Sequence, residues 1–397
     1  MKRNRPLICI ITLASVCLPK WARSDEGDAL NFHIDQTVRY ESNLYRLSDG
    51  EAAPEGRKSD TVSETGLGLK FDRVYGRQHL LADLDFVSAR YAIHKDLNHD
   101  SPDALLSWDW ALGNRWSGVL SYLYRESLTG FDEAGGTTPS LNQYSRAQAT
   151  ADYWFHPSWA VGLGFAHTRN RFDGFERDVA EYDADTVDAN LTYRPATGNR
   201  LVLTLRDTEG QYPNRPAVEE SIRDYRQQEV RLGGDWQLTG ATRLSGFIGR
   251  TRVDYRLAPD RDFTGTIGRL AVIWEPTVKT SLTAAVRREI GAQQDLAANY
   301  AVTEAISVSP RWKVSDKVTL GAGMEWRRRD FRGEPLGGDS TQARPTDRSR
   351  RYGLTAEYKP LRALSVALGL QRQVRDGSNQ VGGYAANIAD LSLHFQF

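Results

Sequence analysis

Ala385-Ala386-Asn387-Ile388-Ala389-Asp390-Leu391-Ser392-Leu393-His394-Phe395-Gln396-Phe397 decides the fold. Ala385, Asn387, Ala389, Leu391, Leu393, Phe395 and Phe397 fall on one side of an extended chain, and Ala386, Ile388, Asp390, Ser392, His394 and Gln396 on the other. A side-chain period of two with one greasy face and one wet face specifies a β-strand between an apolar and a polar medium. The edge strand of a soluble sandwich alternates in the same way, so the rest of the chain must supply repetition.

It does. Leu30, Phe32, Ile34, Val38 and Tyr40 alternate with Asn31, His33, Asp35, Thr37 and Arg39, and the pattern returns along the chain for eighteen strands. Examples are Leu67, Leu69, Phe71; Leu80, Ala82, Leu84, Phe86; Leu106, Trp108, Trp110; and Leu364, Val366, Leu368, Leu370. The stretch near 243–255 is the ambiguous one, because Leu244 and Ile248 compete with Phe247 and Val253 for the apolar side. The second strand is expected over 61–71, turning through Asp72 to Arg77. Connections near 72, 113, 156, 194, 238, 276, 314 and 359 are short, whereas most of those on the other side are long. Strands ending on such an aromatic residue resemble the closing strand of a bacterial outer-membrane barrel. In that reading Phe397, Phe395 and Leu393 form the signal that the barrel-insertion machinery recognises.

The fold class expected is therefore all-β: a transmembrane antiparallel barrel of about 18 strands, residues 25–397, after a cleaved signal peptide, residues 1–24. Lys2, Arg3 and Arg5 precede an apolar run from Leu7 to Leu18, and Ala22-Arg23-Ser24 supplies a small-x-small cleavage site. Both cysteines, Cys9 and Cys17, lie in that segment, so the exported chain would have no disulfide. Removal of its five basic residues leaves 46 against 51 acids, a charge near −5 that argues against a nucleic-acid partner. Mean hydropathy is −0.54, and no stretch of about eighteen apolar residues follows the signal, which excludes apolar helical spans but not barrel strands, in which only alternate residues face lipid. Trp110, Trp116, Phe155, Trp159, Tyr193, Trp236, Trp274, Trp312 and Tyr358 lie beside short turns, as a ring at one membrane boundary would require. Only about five residues precede the first strand in the exported chain, too few for a plug domain.

The wet face carries Arg39, Lys70, Arg125, Arg146, Arg206, Arg231, Arg269, Arg287, Arg311, Lys313, Arg327, Arg329 and Arg351. Against them stand Asp35, Glu64, Asp83, Asp85, Asp109, Asp152, Asp188, Glu229, Asp235, Glu289, Glu325, Glu357 and Asp390. These are the pore-lining candidates, foremost Arg125, Arg146, Arg206, Arg231, Arg287, Arg327, Arg329, Asp83, Asp85 and Asp109. Ion pairs lining a water-filled wall are the plain reading; a path whose weak grips let a hydrated chain move on is the sharper one. Acids gather in strands three and four and bases in thirteen to fifteen, which would set a transverse field if the two groups face each other. The loops 41–60, 128–143 and 332–349 are long enough to fold inward. The seven histidines, at 33, 79, 94, 99, 156, 167 and 394, are scattered, and no Gly-x-Ser-x-Gly or phosphate loop occurs. A channel, with no cofactor and no metal, is expected rather than an enzyme.

Tyr40-Glu41-Ser42-Asn43-Leu44-Tyr45-Arg46-Leu47 followed by Arg57-Lys58-Ser59-Asp60-Thr61 resembles the first hairpin of the outer-membrane proteins called EpsL, which are encoded with exopolysaccharide-biosynthesis and exosortase loci. Trp108-Asp109-Trp110, Ser117-Gly118 and Ser127 to Phe131 are similar to the same family. The resemblance implies export of an extracellular polysaccharide, with outer-membrane lipid around the barrel and a periplasmic polysaccharide export conduit as partner. A general diffusion porin or small-sugar uptake channel is the alternative.

Overall fold

The computed structural model describes residues 29–131, 137–215, 223–292, 300–332, 346–377 and 382–397. The expected signal peptide, residues 1–24, lies outside them. Eighteen strands account for most of the described chain: β1 (Leu30–Glu41), β2 (Asp60–Tyr75), β3 (Gln78–Tyr91), β4 (His99–Leu112), β5 (Trp116–Leu128), β6 (Leu141–His156), β7 (Trp159–Phe172), β8 (Tyr182–Tyr193) and β9 (Arg200–Gln211). They continue as β10 (Asp224–Thr239), β11 (Thr242–Tyr255), β12 (Phe263–Thr277), β13 (Thr280–Ala292), β14 (Tyr300–Lys313), β15 (Val318–Arg332), β16 (Thr346–Leu361), β17 (Leu364–Asp376) and β18 (Tyr384–Gln396). Each pairs antiparallel with its neighbours in sequence, and β1 pairs with β18, so the sheet closes and has no edge.

Closure joins the two ends of the chain. Phe32 and Phe397 exchange two backbone hydrogen bonds of 2.8 Å, and their rings stack at 5.9 Å. Phe395 lies opposite Ile34, and Leu393 opposite Gln36. The stretch that suggests the fold thus also seals its seam.

Connections on one side run from the two residues 76–77 to the six residues 194–199; those on the other run from the seven residues 92–98 to the eighteen residues 42–59. Short turns mark the periplasmic rim and long loops the outside. The turn expected from Asp72 to Arg77 is shorter than that, because β2 runs on to Tyr75 and Gly76, at φ 62°, closes a two-residue hairpin with Arg77.

The register fixes the faces. Ile34, Leu67, Phe86, Leu106, Leu120, Ala149 and Phe165 share the outer face through strand after strand. On β11, Leu244 and Ile248 turn outward, while Phe247 and the buried Val253 turn inward. Trp116, Phe155, Trp159, Trp274, Trp312 and Tyr358 are all exposed near the short-turn rim, and Trp116 packs on Tyr153 and Trp159 on Tyr193 at 4.9 and 4.7 Å. Amphipathic rings favour the boundary between hydrocarbon and water, so this end of the wall sits at the inner headgroup level. No helix among the described residues is long and apolar enough to cross a membrane, so the strands make the crossing.

Candidate functional site: the lumen and its extracellular mouth

The alternation that greases the outside wets the inside. All ten foremost pore-lining candidates lie on the inward face, and most are engaged by neighbours. Arg206 grips Asp188 through two hydrogen bonds of 2.7 and 2.8 Å. Arg329 reaches Asp347, which is fully buried, at 2.8 and 2.5 Å. Arg231 pairs with Glu229 and lies over the Phe247 ring at 4.9 Å. Arg146 donates to Thr168 at 3.1 Å, and Arg125, mostly exposed, stands 3.7 Å from Asp103. Asp85 holds His33 at 2.8 Å, Asp83 lies opposite Lys70, and Asp109, nearer the short-turn rim, is 3.2 Å from His79.

Charge is arranged by strand. Arg269, Arg287, Ala305 and Arg327 occupy one continuous cross-strand row on β12 to β15, and Glu325 stands 3.7 Å from Arg287. Like charges placed directly across a strand pair, as Arg269 and Arg287 are, repel each other. A row of this kind is tolerated where water or an anion can enter it. In a ring of eighteen, β12 and β13 stand opposite β3 and β4, which bring Asp83, Asp85, Asp103 and Asp109. Bases thus face acids across the lumen. Arg125 and Arg146 fall on β5 and β6, beside the acidic wall rather than with the basic row.

The mouth is narrowed from within. Tyr45, in the β1–β2 loop, is 2% exposed and packs on Phe131 at 4.6 Å and edge-on to His94 at 5.0 Å. Leu44 joins it in a cluster with Val62, Ala89, Tyr91 and Leu97, and Val62, Ala89 and Tyr91 are inward residues of β2 and β3. The loop therefore folds against the lumen wall. Polar bonds hold it there: Arg46 pairs with Glu41 at 2.7 Å, and Leu44 donates its amide to the Lys58 carbonyl at 2.7 Å. The Asn43 side chain donates to the Leu47 carbonyl and accepts the Leu47 amide. Beneath lies a buried knot in which the Asp60 carboxylate accepts the amides of Thr61, Ile93 and His94 and meets His94 Nδ1 at 2.9 Å. Burial pushes the phenols of Tyr45 and Tyr212 up, the latter to about 12, so both stay neutral. The stretch from Tyr40 to Leu47 and the stretch from Arg57 to Thr61 are together the chain's means of docking this loop. Of the other two long loops, 128–143 contributes Phe131 to the packing, while 332–349 is largely outside the described residues.

Residues 204–397 match the family described as "Putative beta-barrel porin 2". OccK2 (OpdF) of Pseudomonas aeruginosa, solved in complex with glucuronate, superposes with a TM-score of 0.53 at 13% identity, covering 93% of this chain and 98% of that one. The fold is that of an outer-membrane porin. The outer-membrane protein OpdK of Pseudomonas aeruginosa gives a TM-score of 0.51 at 10% identity over 93% of this chain and 99% of its own. A BenF-like porin from Pseudomonas fluorescens Pf-5 gives 0.52 at 9% identity over 94% and 99%. No curated protein matches. The porin fold places this barrel in the outer membrane of a Gram-negative bacterium.

The loop 41–60 is one of three that their length alone would let fold inward, and length does not say which of them does. Its packing partners are up to 86 residues away in the chain, from Tyr45 to Phe131, and no local pattern announces such a contact. A Tyr within a polar loop, flanked by Leu44 and Leu47, is the signal that was there to be weighed.

Proposed function

We propose that the barrel is a passive outer-membrane channel for uptake of small hydroxylated carboxylates. The observation that carries this reading is the row Arg269, Arg287 and Arg327, of which Arg269 on β12 and Arg287 on β13 stand opposite the acids of β3 and β4, in a lumen whose mouth is narrowed by the loop 42–59. A guanidinium row attracts a carboxylate, and facing carboxylates accept hydrogen bonds from sugar hydroxyls, so a solute bearing both groups is oriented as it passes. Each contact is made in water and stays weak, as conduction requires. That OccK2 was solved with glucuronate, a solute of this class, supports the choice. In reconstituted liposomes, glucuronate should enter faster than glucose, and replacing the three arginines with glutamine should remove the preference. Equal entry of the two solutes through the native protein would refute it.

Export of polysaccharide is the second reading, favoured by the resemblance from Tyr40 to Leu47 to the EpsL proteins. It needs a periplasmic export conduit as partner. Those residues build the docked loop, so their presence speaks for a shared mouth architecture rather than for a polymer. A deletion strain separates the two readings: loss of surface polymer supports export, and normal polymer with slowed uptake of a small uronate supports the channel.

A further inference from the structure

One row of charges crosses five strands on the outer face of the wall. Arg288, Glu304, Arg328, Arg348 and Asp376 follow one another across β13 to β17 in a single register row, and by alternation they share the face of Val286, Ile306 and Trp326, which points to the membrane. Arg350 lies one step toward the periplasm, opposite Trp326. The row occupies the half of each strand nearest the long loops. The strands are 13 to 16 residues here, longer than the nine to eleven or so that cross hydrocarbon, so their outer ends reach headgroup level.

Below the row the surface is hollowed. A groove of about 1140 Å³ runs from β9 to β17 and reaches up to the row itself, walled by Leu232, Ile248, Leu270, Val286, Ile306 and Trp326. Its floor lacks side chains where Gly234 and Gly246 face each other. A Cβ at Gly246 would stand 2.0 Å from the Arg269 carbonyl oxygen, and one at Gly234 2.1 Å from that of Arg200, so only glycine fits.

The charges do not cancel. Arg288 pairs with Glu304 and Arg350 with Asp376, while Arg328 meets Asp330 at 2.9 Å. Arg328 and Arg348 stand directly opposite each other, and among the described residues Arg348 has no carboxylate partner. Two arginines abutting at a lipid surface repel unless an anion lies between them, and the planar guanidinium fork suits phosphate. The groove beneath supplies what acyl chains need. We propose that this face binds a phosphorylated glycolipid of the outer leaflet, its phosphate on Arg328 and Arg348 and its acyl chains in the groove toward Leu270 and Ile306. The inference rests on the outer-membrane placement and is independent of what crosses the lumen.

The test uses the full barrel in detergent and native mass spectrometry with titrated lipid. The probes are bis-phosphorylated lipid A, its dephosphorylated form and phosphatidylglycerol, with inorganic phosphate as competitor. Bis-phosphorylated lipid A should bind at least tenfold tighter than the other two lipids, and R328Q/R348Q should lose that margin while R328K/R348K keeps most of it. Retained heat-modifiability in gels certifies that each variant is folded. Equal binding of the phosphorylated and dephosphorylated lipids, or an R328Q/R348Q barrel that binds like the native one, would overturn the proposal. Displacement of the lipid by an equal concentration of inorganic phosphate would also overturn it, by assigning the arginines to free phosphate. Tighter binding of phosphatidylglycerol would refute the glycolipid.

Discussion

Tyr45→Ala should open the mouth. The native ring is 2% exposed and touches Phe131 and His94, so truncation leaves a cavity in the centre of the apolar cluster that packs the loop 42–59 on β2 and β3. Burial of a large aromatic followed by its removal costs about 3–5 kcal/mol in a well-packed core. Loop docking is a local equilibrium separate from the barrel, and each 1.4 kcal/mol is about a factor of ten in it. A loss of about 3 kcal/mol therefore lowers the ratio of docked to undocked loop by more than about a hundredfold, enough to undock a loop held by a few kcal/mol. Single-channel recording in planar bilayers should show a higher or more fluctuating conductance than the native channel. Trypsin should cut the variant at Arg57 or Lys58 while the barrel stays intact. A folded Y45A barrel with native conductance and native resistance to trypsin would refute the inward loop as the element that narrows the mouth.

Arg329→Ala should lower the denaturant midpoint, since it strands the buried Asp347 carboxylate; removing one partner of a buried pair costs about 3–5 kcal/mol, and a second change, Asp347→Asn, should recover part of the loss. Phe397→Lys should lower outer-membrane levels and leave precursor in the periplasm, because it removes both the proposed insertion signal and the ring stacked on Phe32 at the seam; unchanged assembly would count against both roles. In ultraviolet titration Tyr45 and Tyr212 should remain neutral when exposed tyrosines have ionised. Both phenols are raised in the folded state, so their stabilisation of the mouth is complete below about pH 10, the unfolded value, and falls as pH rises toward and past the folded values.

What was legible in the sequence is what period two can carry. On β1, β3 and β18 every outward residue alternates with an inward one, and a one-residue slip would put Asp83 or Asp390 into lipid, so the register is over-determined. The stretch near 243–255 defied that reading because Arg250 and Arg252 sit outward beyond the apolar band while Phe247 and Val253 turn inward, one under Arg231 and the other beneath the β11–β12 connection. Local alternation then offers greasy residues to both faces, and the register against β10, with Leu232 opposite Ile248 and Trp236 opposite Leu244, decides between them. Arg328 was passed over for a similar reason. It stands between Arg327 and Arg329, so in a run of three arginines nothing local marks the middle one as the residue on the lipid side.

The direct test of the account is the reversal potential of the native channel and of R269Q/R287Q/R327Q in a salt gradient. The native channel should prefer organic anions over chloride-sized ones of equal charge, with sodium glucuronate shifting the potential toward the anion, and the triple variant should move toward cation preference as the acids of β3 and β4 are left to dominate. A native channel with no anion preference, or a triple variant with the native reversal potential, would contradict it.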